Sequence, residues 1–449
     1  MRCDSAAGAP PRWGRRVLAL LCLVLGSTAV GAGEGTPALT VGAARFEPRT
    51  LSVLIDYARR ESPKMPVDRI VDDIVERRIL GDYAREHYDD ATLFPEQRVG
   101  FAPDVLIEDQ LTSLIQGSFR EPLGAALRKD YGDDASGAIL ETPVLSRGAL
   151  VAVLGEPGAL RLDYALDATA AAKAREVVVL RYQLRGEAEA VISLYDVYRR
   201  QNVQGRMQLH GLDDDFLRAQ ARQHLMGRMT RHWAHTTLGG RVVDELERTL
   251  RDREYTRALR GQFGIGADIH DVSDYLGQLR ARVTPEEVGA WYDAHRDQFQ
   301  QVARVRASHI RVADEATAQK VAALLKPDGS NFGEIARQHS VAPDAAAGGQ
   351  LGWLARRNDT HWLTELVFAQ RPGRIGVPVR EPAPADAAAA WEIPFVHEQA
   401  IEPFPRDSET VRYQASVAIA QHRARAEYTA LRDRLRAATT VVVAPARDG

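Results

Sequence analysis

The sequence predicts an α+β protein in which a mostly helical module precedes a smaller domain of mixed strands and helices and a C-terminal helix. Three observations support this prediction. Apolar residues recur at helical spacing from about residue 38 to residue 300. After Phe299 the pattern changes to strand, helix, loop, helix and strand over 302–398. A last amphipathic segment, 408–436, predicts a helix within a C-terminal region, 407–444, that returns to the helical module.

The helical module, predicted over 33–300, has recognisable starts and periods. Pro66 suits the first position of a helix, and apolar residues follow it at helical spacing. Longer helices are predicted over 213–235 and 242–263. Thr284 and Glu287 have the spacing of a capping box, in which each side chain satisfies the other residue's backbone amide. These features predict a module built from helices of ordinary globular length.

Two short runs interrupt the helical pattern. Residues 149–154 and 177–182 are rich in apolar and β-branched residues. They predict two strands that pair with each other as a small hairpin.

Composition excludes several classes of function. The chain has 449 residues, with 58 basic and 61 acidic side chains and a formal net charge of −3. This balance argues against a nucleic-acid partner bound through phosphate neutralisation. None of the five lysines follows a glycine-rich loop, which excludes a P-loop nucleotide site. His232 and His235 have one-turn spacing, but no further ligand accompanies them, so we predict neither a metal site nor a small-molecule cofactor.

The first 32 residues predict a secretory signal peptide. Arginines at 12, 15 and 16 precede a nearly continuous apolar run over 17–30, and small residues follow at Gly31 and Ala32. Both cysteines, Cys3 and Cys22, lie inside this segment, so the mature chain is predicted to contain neither a disulfide nor a thiol nucleophile. We therefore expect export to the periplasm. An uncleaved inner-membrane anchor is the alternative.

Motifs along 303–398 resemble those of the parvulin family of peptidyl-prolyl cis-trans isomerases. In chain order they are Ala307-Ser308-His309-Ile310, Phe332-Gly333-Glu334-Ile335-Ala336, Gly348-Gly349-Gln350-Leu351-Gly352-Trp353, Phe368, Pro372-Gly373 and Val377-Pro378-Val379. The segment before them looks like the helix that leads into this domain in SurA-like and PpiC-like periplasmic foldases. The resemblance implies an FKBP-like α/β domain over 302–398 and a SurA-like chaperone module before it.

The resemblance also implies a catalytic pair. In the family, two histidines hydrogen-bond across adjacent strands beside a Cys or Asp. His309 fits the first histidine, the second falls on Glu392, and the Cys or Asp position falls on Ala342. Pro394 removes a strand amide that the family uses, which predicts an edge or bulged strand at that point. We assign His309 and Glu392 as catalytic, with a hydrogen-bonded structural histidine as the alternative for His309.

Apolar residues of the same segment are assigned to the surface that holds the proline ring. The family positions that cup the ring fall on Asp359 and Leu363 in this sequence. The substrate-binding residues are Leu351, Leu354, Leu363 and Phe368.

Two functions follow from the resemblance. The first is an exported foldase that isomerises Xaa-Pro bonds in unfolded envelope proteins. The alternative is a non-catalytic periplasmic holdase chaperone with a degenerate parvulin domain. Ala342, Asp359 and Glu392 suggest it, because they differ from the residues that the family has at these positions. In both cases the partners are unfolded or proline-containing polypeptides, with outer-membrane proteins as candidate clients, and neither a nucleic acid nor a small-molecule cofactor takes part.

Overall fold

The computed structural model describes residues 39–95, 100–133, 135–159, 163–266, 273–356, 361–384 and 389–443. The predicted signal segment, 1–32, lies outside these residues. Within the described ranges, every helix is too short or too polar to cross a lipid bilayer. Backbone contacts divide the chain into two units, one formed by 1–275 with 424–449 and the other by 276–423.

The predicted α+β class is confirmed, because long helices and three antiparallel sheets occur in one chain. The helices are α1 (Pro48–Glu61), α2 (Val67–His87), α3 (Asp90–Leu93), α4 (Pro103–Ser118), α5 (Arg120–Tyr131), α6 (Arg147–Leu154), α7 (Ala168–Glu176), α8 (Leu194–Arg199), α9 (Val203–His210), α10 (Asp214–Leu238), α11 (Gly240–Gln262), α12 (Asp274–Ala281), α13 (Pro285–Ala294), α14 (Glu315–Leu324), α15 (Phe332–His339), α16 (Trp362–Ala369) and α17 (Glu409–Ala438). The strands are β1 (Leu39–Val41), β2 (Ala44–Phe46), β3 (Ile139–Glu141), β4 (Val178–Gln183), β5 (Glu189–Ser193), β6 (Gln300–Val312), β7 (Gln350–Ala355), β8 (Arg374–Ile375), β9 (Val379–Arg380), β10 (Trp391–Pro403) and β11 (Val441–Val443).

The first unit is mainly helical. Helices α1, α2, α4, α10 and α11 bury one apolar cluster, and α6 to α10 bury a second cluster against a small sheet. That sheet has the order β3-β4-β5, and the other sheet of this unit has the order β11-β1-β2. Because β11 pairs with β1, the C-terminal strand lies beside the first strand that the structure describes.

The predicted hairpin is wrong. Residues 147–154 form α6, whose first turn is capped by the hydroxyl of Ser146, which accepts a hydrogen bond from the amide of Ala149. Strand β4 pairs instead with β3 and β5. An apolar run of eight residues cannot be assigned to strand or helix from its periodicity alone, and here the capping serine decides it.

The second unit contains a five-stranded antiparallel sheet. Its order is β7-β6-β10-β8, and β9 pairs with another part of β10. Helices α14 and α15 cover one face, on which Ile310 of β6 and Ile393 of β10 are fully buried. The capping box predicted at Thr284 is confirmed at the start of α13, where Thr284 accepts from the amide of Glu287 and Glu287 accepts from the amide of Thr284.

Pro394 lies on an interior strand, so the predicted edge is wrong, but the pairing beside it is irregular, because residues 376–378 lie opposite residues 393–394. Strand β10 has β6 on one side and β8 and β9 on the other. The carbonyl of Pro394 accepts from the amide of Gly376, which lies between β8 and β9. The nitrogen and carbonyl of a strand residue point to the same side, so the missing N–H faces the gap between two short strands. Because neither β8 nor β9 presents a carbonyl at this point, the missing N–H of Pro394 leaves no hydrogen bond of the sheet unmade.

The predicted domain boundaries stay predictions. The predicted end of the helical module at residue 300 lies inside the second unit, which also contains α13. Helix α17 contributes its residues up to 423 to the second unit and the rest to the first.

Candidate active site

His309 and Glu392 lie in direct contact across two neighbouring strands. The register pairs His309 with Pro394 and Glu392 with Arg311, so the two residues are diagonal neighbours on one face of the sheet. Nδ1 of His309 lies 2.7 Å from Oε2 of Glu392. His309 is 6% exposed and Glu392 is 0% exposed. The structure therefore brings together the two residues predicted as catalytic, and their roles remain predictions.

A second carboxylate, which the sequence motifs do not predict, contacts the other ring nitrogen of His309. The two carboxylate oxygens of Asp344 lie 3.0 and 3.1 Å from Nε2 of His309. Asp344 belongs to the loop between α15 and β7, and backbone bonds tie this loop to β6. The amide of His309 donates to the carbonyl of Gly349, and the amide of Val341 donates to the carbonyl of Arg311, both at 2.8 Å. The acid is held in place because both ends of its loop are bonded to the central strand.

Gly349 permits this close approach. Its φ is +68°, and a Cβ atom there would lie 2.0 Å from the carbonyl oxygen of His309. Any side chain would push the loop away from β6 and with it the carboxylate of Asp344.

Arg311 extends the polar array along β6. Its guanidinium lies 3.3 Å from Oε1 of Glu392 and 2.6 Å from Oε2 of Glu381. The row Glu381, Arg311, Glu392, His309 and Asp344 therefore alternates in charge when His309 is protonated. Its centre is buried, whereas the side chains of Arg311, Glu381 and Asp344 are 33%, 25% and 26% exposed.

The geometry favours a protonated His309. Ionised carboxylates only accept hydrogen bonds, so both ring nitrogens must carry a proton to satisfy Glu392 and Asp344 together. Burial acts to lower the pKa of His309, but the hydrogen bond to Glu392 and the charges of Glu392 and Asp344 outweigh it and raise the pKa above 6.5.

An apolar cluster shares the face that carries this array. Side chains alternate along a strand, so Val305, Ala307 and His309 point the same way from β6. The buried members of the cluster are Val305, Ala307, Val367, Phe368 and Val396, and the partly buried members are Val302, Leu351 and Leu354. The structure thus places three of the four predicted substrate-binding residues in one cluster.

Three further predicted positions, Leu363, Asp359 and Ala342, lie outside the polar array and the apolar cluster or outside the described residues. Leu363 is buried on α16, the helix that also carries Phe368, but it is not part of that cluster. Asp359 lies outside the described residues. Ala342 is buried and has no functional group, and the assignment of the family's Cys or Asp position to it stays a prediction. Asp344, two residues later, is the residue whose carboxylate contacts His309.

Phe368 is buried, and its role in substrate binding stays a prediction. Its side chain is 7% exposed, and the guanidinium carbon of Arg356 lies 4.7 Å from the ring centroid. Arg356 also pairs with Glu365 at 3.1 Å. Of the four predicted substrate-binding residues, Leu351 and Leu354 are the two that are only partly buried.

Nothing in the described ranges groups three or more His, Cys, Asp or Glu side chains in a way that could hold a metal ion. Of the one-turn pair, His232 lies 3.5 Å from a carboxylate oxygen of Glu187. Another histidine, His397, lies on the opposite face of the sheet from His309, where it bonds the hydroxyl of Ser308 at 2.8 Å. It is therefore not a partner of His309.

Comparisons with known proteins identify this domain. The model of the Rotamase family, described as a PPIC-type PPIASE domain, matches residues 299–393. A foldase protein PrsA from Halalkalibacterium halodurans is 33% identical over 140 residues, which is 28% of this chain and 41% of the relative. A chaperone SurA from Aromatoleum aromaticum is 31% identical over 91 residues, which is 18% of this chain and 21% of the relative. The chain thus matches less than half the length of each of these relatives.

A solved structure described as a peptidylprolyl isomerase (PrsA) from Bacillus anthracis is 19% identical. Its match covers 43% of this chain and 77% of that one, with a TM-score of 0.20. The family match is limited to the stretch that contains His309 and Glu392, so it is this stretch that carries the parvulin-type rotamase domain.

Proposed function

We propose that this chain, which carries a parvulin-type peptidyl-prolyl isomerase domain, is an exported foldase that isomerises Xaa-Pro bonds in unfolded envelope proteins. The observation that carries the proposal is the placement of His309 between Glu392 and Asp344, on the face that also carries the apolar cluster. A polar group of defined charge beside an apolar surface is what a prolyl-isomerase site requires.

The reaction needs no covalent intermediate. The amide C–N bond resists rotation because the nitrogen lone pair is conjugated with the carbonyl, which gives a barrier of about 18–20 kcal/mol. A site accelerates rotation when it binds the twisted amide better than either planar form. A fixed negative charge beside the carbonyl oxygen disfavours the charge-separated resonance form and so weakens the partial double bond.

Asp344 is the residue placed to provide that charge. Glu392 is completely buried and both His309 nitrogens are occupied by carboxylates, so neither can reach a ligand without rearrangement. The carboxylate of Asp344 is partly exposed. In this proposal Asp344 contacts the substrate, and His309 is a positioning residue that fixes the orientation of Asp344.

The proline ring would lie against Leu351 and Leu354. Both side chains belong to β7, and both are partly buried members of the apolar cluster. Burying a ring of this size gains about 25 cal/mol for each Å² removed from water, which holds the residue while the preceding bond rotates.

The proposed periplasmic location and the proposed substrates are supported by observations other than the geometry of the site. The signal-like segment 1–32 and the names of the curated relatives, foldase and chaperone, support a periplasmic location and unfolded polypeptides as substrates. Outer-membrane proteins are the clients that we propose for this compartment.

A direct assay tests the enzymatic proposal. The rate of cis-trans exchange in a short Ala-Pro peptide would be measured by NMR exchange spectroscopy for the wild type, for His309→Ala and for Ser330→Ala, an exposed control of the same domain. We expect acceleration by the wild type and the control and a large loss in His309→Ala. An uncatalysed rate with folded wild-type protein would refute the enzymatic proposal.

A further inference from the structure

A groove in the helical unit concentrates carboxamide side chains. It lies between α4, α9 and α10 and has a volume of about 630 Å³, within the usual range for ligand pockets. The described residues of this unit include ten Asn and Gln residues, and seven of them line this one groove. A carboxamide offers donors and an acceptor without carrying a charge. The lining therefore suits a ligand that has many polar groups and no net charge.

The charged groups of the groove neutralise one another. The guanidinium of Arg200 pairs with the carboxylates of Glu108 and Asp109. His224 is buried in the lining, and its burial together with the charges of Arg200 and Arg228 lowers its pKa to about 3, so the imidazole is neutral. This balance selects neither an anion such as a phosphate nor a cation such as a metal ion.

Hydrogen bonds within the protein hold two of the amides and leave one polar group of each for a ligand. Gln201 is buried, and its amide nitrogen donates to the carbonyl of Val197 at 3.2 Å and to the side-chain oxygen of Gln220 at 3.1 Å. The amide nitrogen of Gln116 donates to the hydroxyl of Thr230 at 3.3 Å. The amino group of Gln220 and the side-chain oxygen of Gln116 remain for the groove. Side chains that are already oriented lose less entropy when a ligand binds.

Three more amides of the lining, Gln204, Gln208 and Gln223, are exposed. Gln204 and Gln208 are one turn apart on α9, so they lie on the same side of that helix, and Gln223 lies on α10. Each of these side chains can donate through its amino group and accept through its oxygen at the same time. Two neighbouring hydroxyl groups of a sugar ring, one accepting and one donating, match this pair of atoms.

Aromatic rings accompany the amides. Phe101 and Phe216 both line the groove; Phe101 is 45% exposed, and Phe216 is partly buried. The face of an aromatic ring carries negative charge density, which attracts the C–H groups on the face of a sugar ring. A sugar can therefore pack on a ring while the hydroxyl groups at its edge bond to the amides.

We propose that this groove binds a neutral oligosaccharide, which is a function separate from prolyl isomerisation. An extended polypeptide is the competing ligand. Polypeptides add to a free sheet edge or lay apolar side chains into an apolar groove. This groove is built from helices, and four apolar side chains, Phe101, Val197, Phe216 and Met226, line it beside the seven amides. The balance of amides over apolar side chains favours the sugar.

NMR titration of the full chain with sugars tests the inference. The probes are maltoheptaose, cellohexaose and chitohexaose, three neutral oligosaccharides that differ in linkage or in the substituents of the ring. Saturation transfer from the protein to the sugar protons measures binding. We expect saturable binding of at least one probe. Failure of all three to bind folded protein would overturn the inference.

Variants of the lining locate the binding. The triple variant Gln204→Ala/Gln208→Ala/Gln223→Ala should weaken it at least about tenfold, since each of the lost hydrogen bonds contributes modestly. Phe101→Ala should weaken it through the lost ring. Ser113→Trp should block it, because Ser113 is exposed on α4 and lines the groove. Wild-type affinity in the triple variant and in Ser113→Trp would overturn the inference.

Two controls separate this site from the rest of the protein. The triple variant Gln319→Ala/Gln414→Ala/Gln421→Ala removes three exposed helical glutamines from the other unit and should bind the sugar as the wild type does. His309→Ala should also bind normally. Equal losses in the two triple variants, or loss of binding in His309→Ala, would overturn the inference. Sugar binding decides it whether or not the protein isomerises prolyl bonds.

Competition distinguishes a sugar site from a peptide site. An unstructured peptide of Thr, Ser and Gly offers hydroxyl and amide groups on a flexible chain. We expect that it leaves the bound sugar in place at equal concentration. Displacement of the sugar by this peptide would identify the groove as a polypeptide site and overturn the inference.

Discussion

The carboxylate of Asp344 lies 3.0 Å from Nε2 of His309, and the opposite ring nitrogen of this histidine is already bonded to Glu392. A buried imidazole held between two carboxylates is stabilised as a cation. The charge state of His309 therefore predicts how the pKa of this residue and the stability of the domain respond to mutation and to pH.

Removing the charge of Asp344 should lower the pKa of His309. In Asp344→Asn the burial of the imidazole remains, but one of the two negative charges that raise the pKa is lost. An NMR titration of the His309 ring protons should show a pKa above 6.5 in the wild type and a lower value in the variant. Asp328→Asn, on an exposed loop of the same domain, should leave the titration unchanged. An unaltered His309 pKa in Asp344→Asn would contradict the assigned contact.

The stability of the domain should depend on pH through the same group. Because the folded-state pKa of His309 is raised above the unfolded value of about 6.5, its protonation stabilises the folded state. This contribution is fully present below the unfolded pKa and is lost as the pH rises through the folded pKa. Urea denaturation across this window should show a fall in the free energy of unfolding that is absent in His309→Gln. Identical pH profiles for the two proteins would count against a raised pKa.

Glu392 should matter far more to stability than Glu381, although both contact Arg311. Glu392 is fully buried between Arg311 and His309, whereas Glu381 is 25% exposed. Glu392→Gln removes the one fully buried carboxylate of the array and leaves the buried imidazole of His309 with Asp344 alone, which should cost about 3 kcal/mol of unfolding free energy. Glu381→Gln breaks a pair at the surface and should cost less than about 1 kcal/mol. Denaturant midpoints measured side by side would decide this, and equal shifts would be inconsistent with the burial of Glu392.

Two glycines of the β7 region provide a matched pair. Gly349 and Gly352 both have positive φ, but only at Gly349 would a Cβ atom strike the backbone, at the carbonyl of His309. Gly352→Ala should cost about 1 kcal/mol of unfolding free energy through backbone strain alone. Gly349→Ala should cost more than about 3 kcal/mol, since the loop that holds Asp344 must move. Thermal unfolding of both variants tests this, and similar losses would argue against the close contact.

Local signals predicted much of the fold. The capping box at Thr284 was readable because it involves one residue and its neighbour three positions later. The strand predicted over 149–154 is wrong, because these residues belong to α6, whose start is fixed by the Ser146 cap three residues upstream of the run. Pro394 was misplaced because the break between β8 and β9 is a property of the whole sheet that no single strand reveals.

The site was predicted in part for the same reason. His309 and Glu392 were found from the motifs that contain them, since adjacent strands bring these motifs together. Asp344 was missed because counting from Gly348 to Ala342 assumes a fixed loop shape. A 3-10 turn over Ala345–Ala347 and two glycines with positive φ bend this loop back toward β6. One signal was available: Asp344 is the only ionisable residue between Ser340 and Gly348.

The central claim, that Asp344 and His309 act together on a prolyl bond, is tested most directly by the catalysed exchange rate of an Ala-Pro peptide in Asp344→Asn, His309→Gln and the double variant. We predict that each single variant loses at least about tenfold in kcat/KM and that the double variant loses little more, because His309 acts through Asp344. Full activity in Asp344→Asn, or losses that multiply in the double variant, would contradict this account.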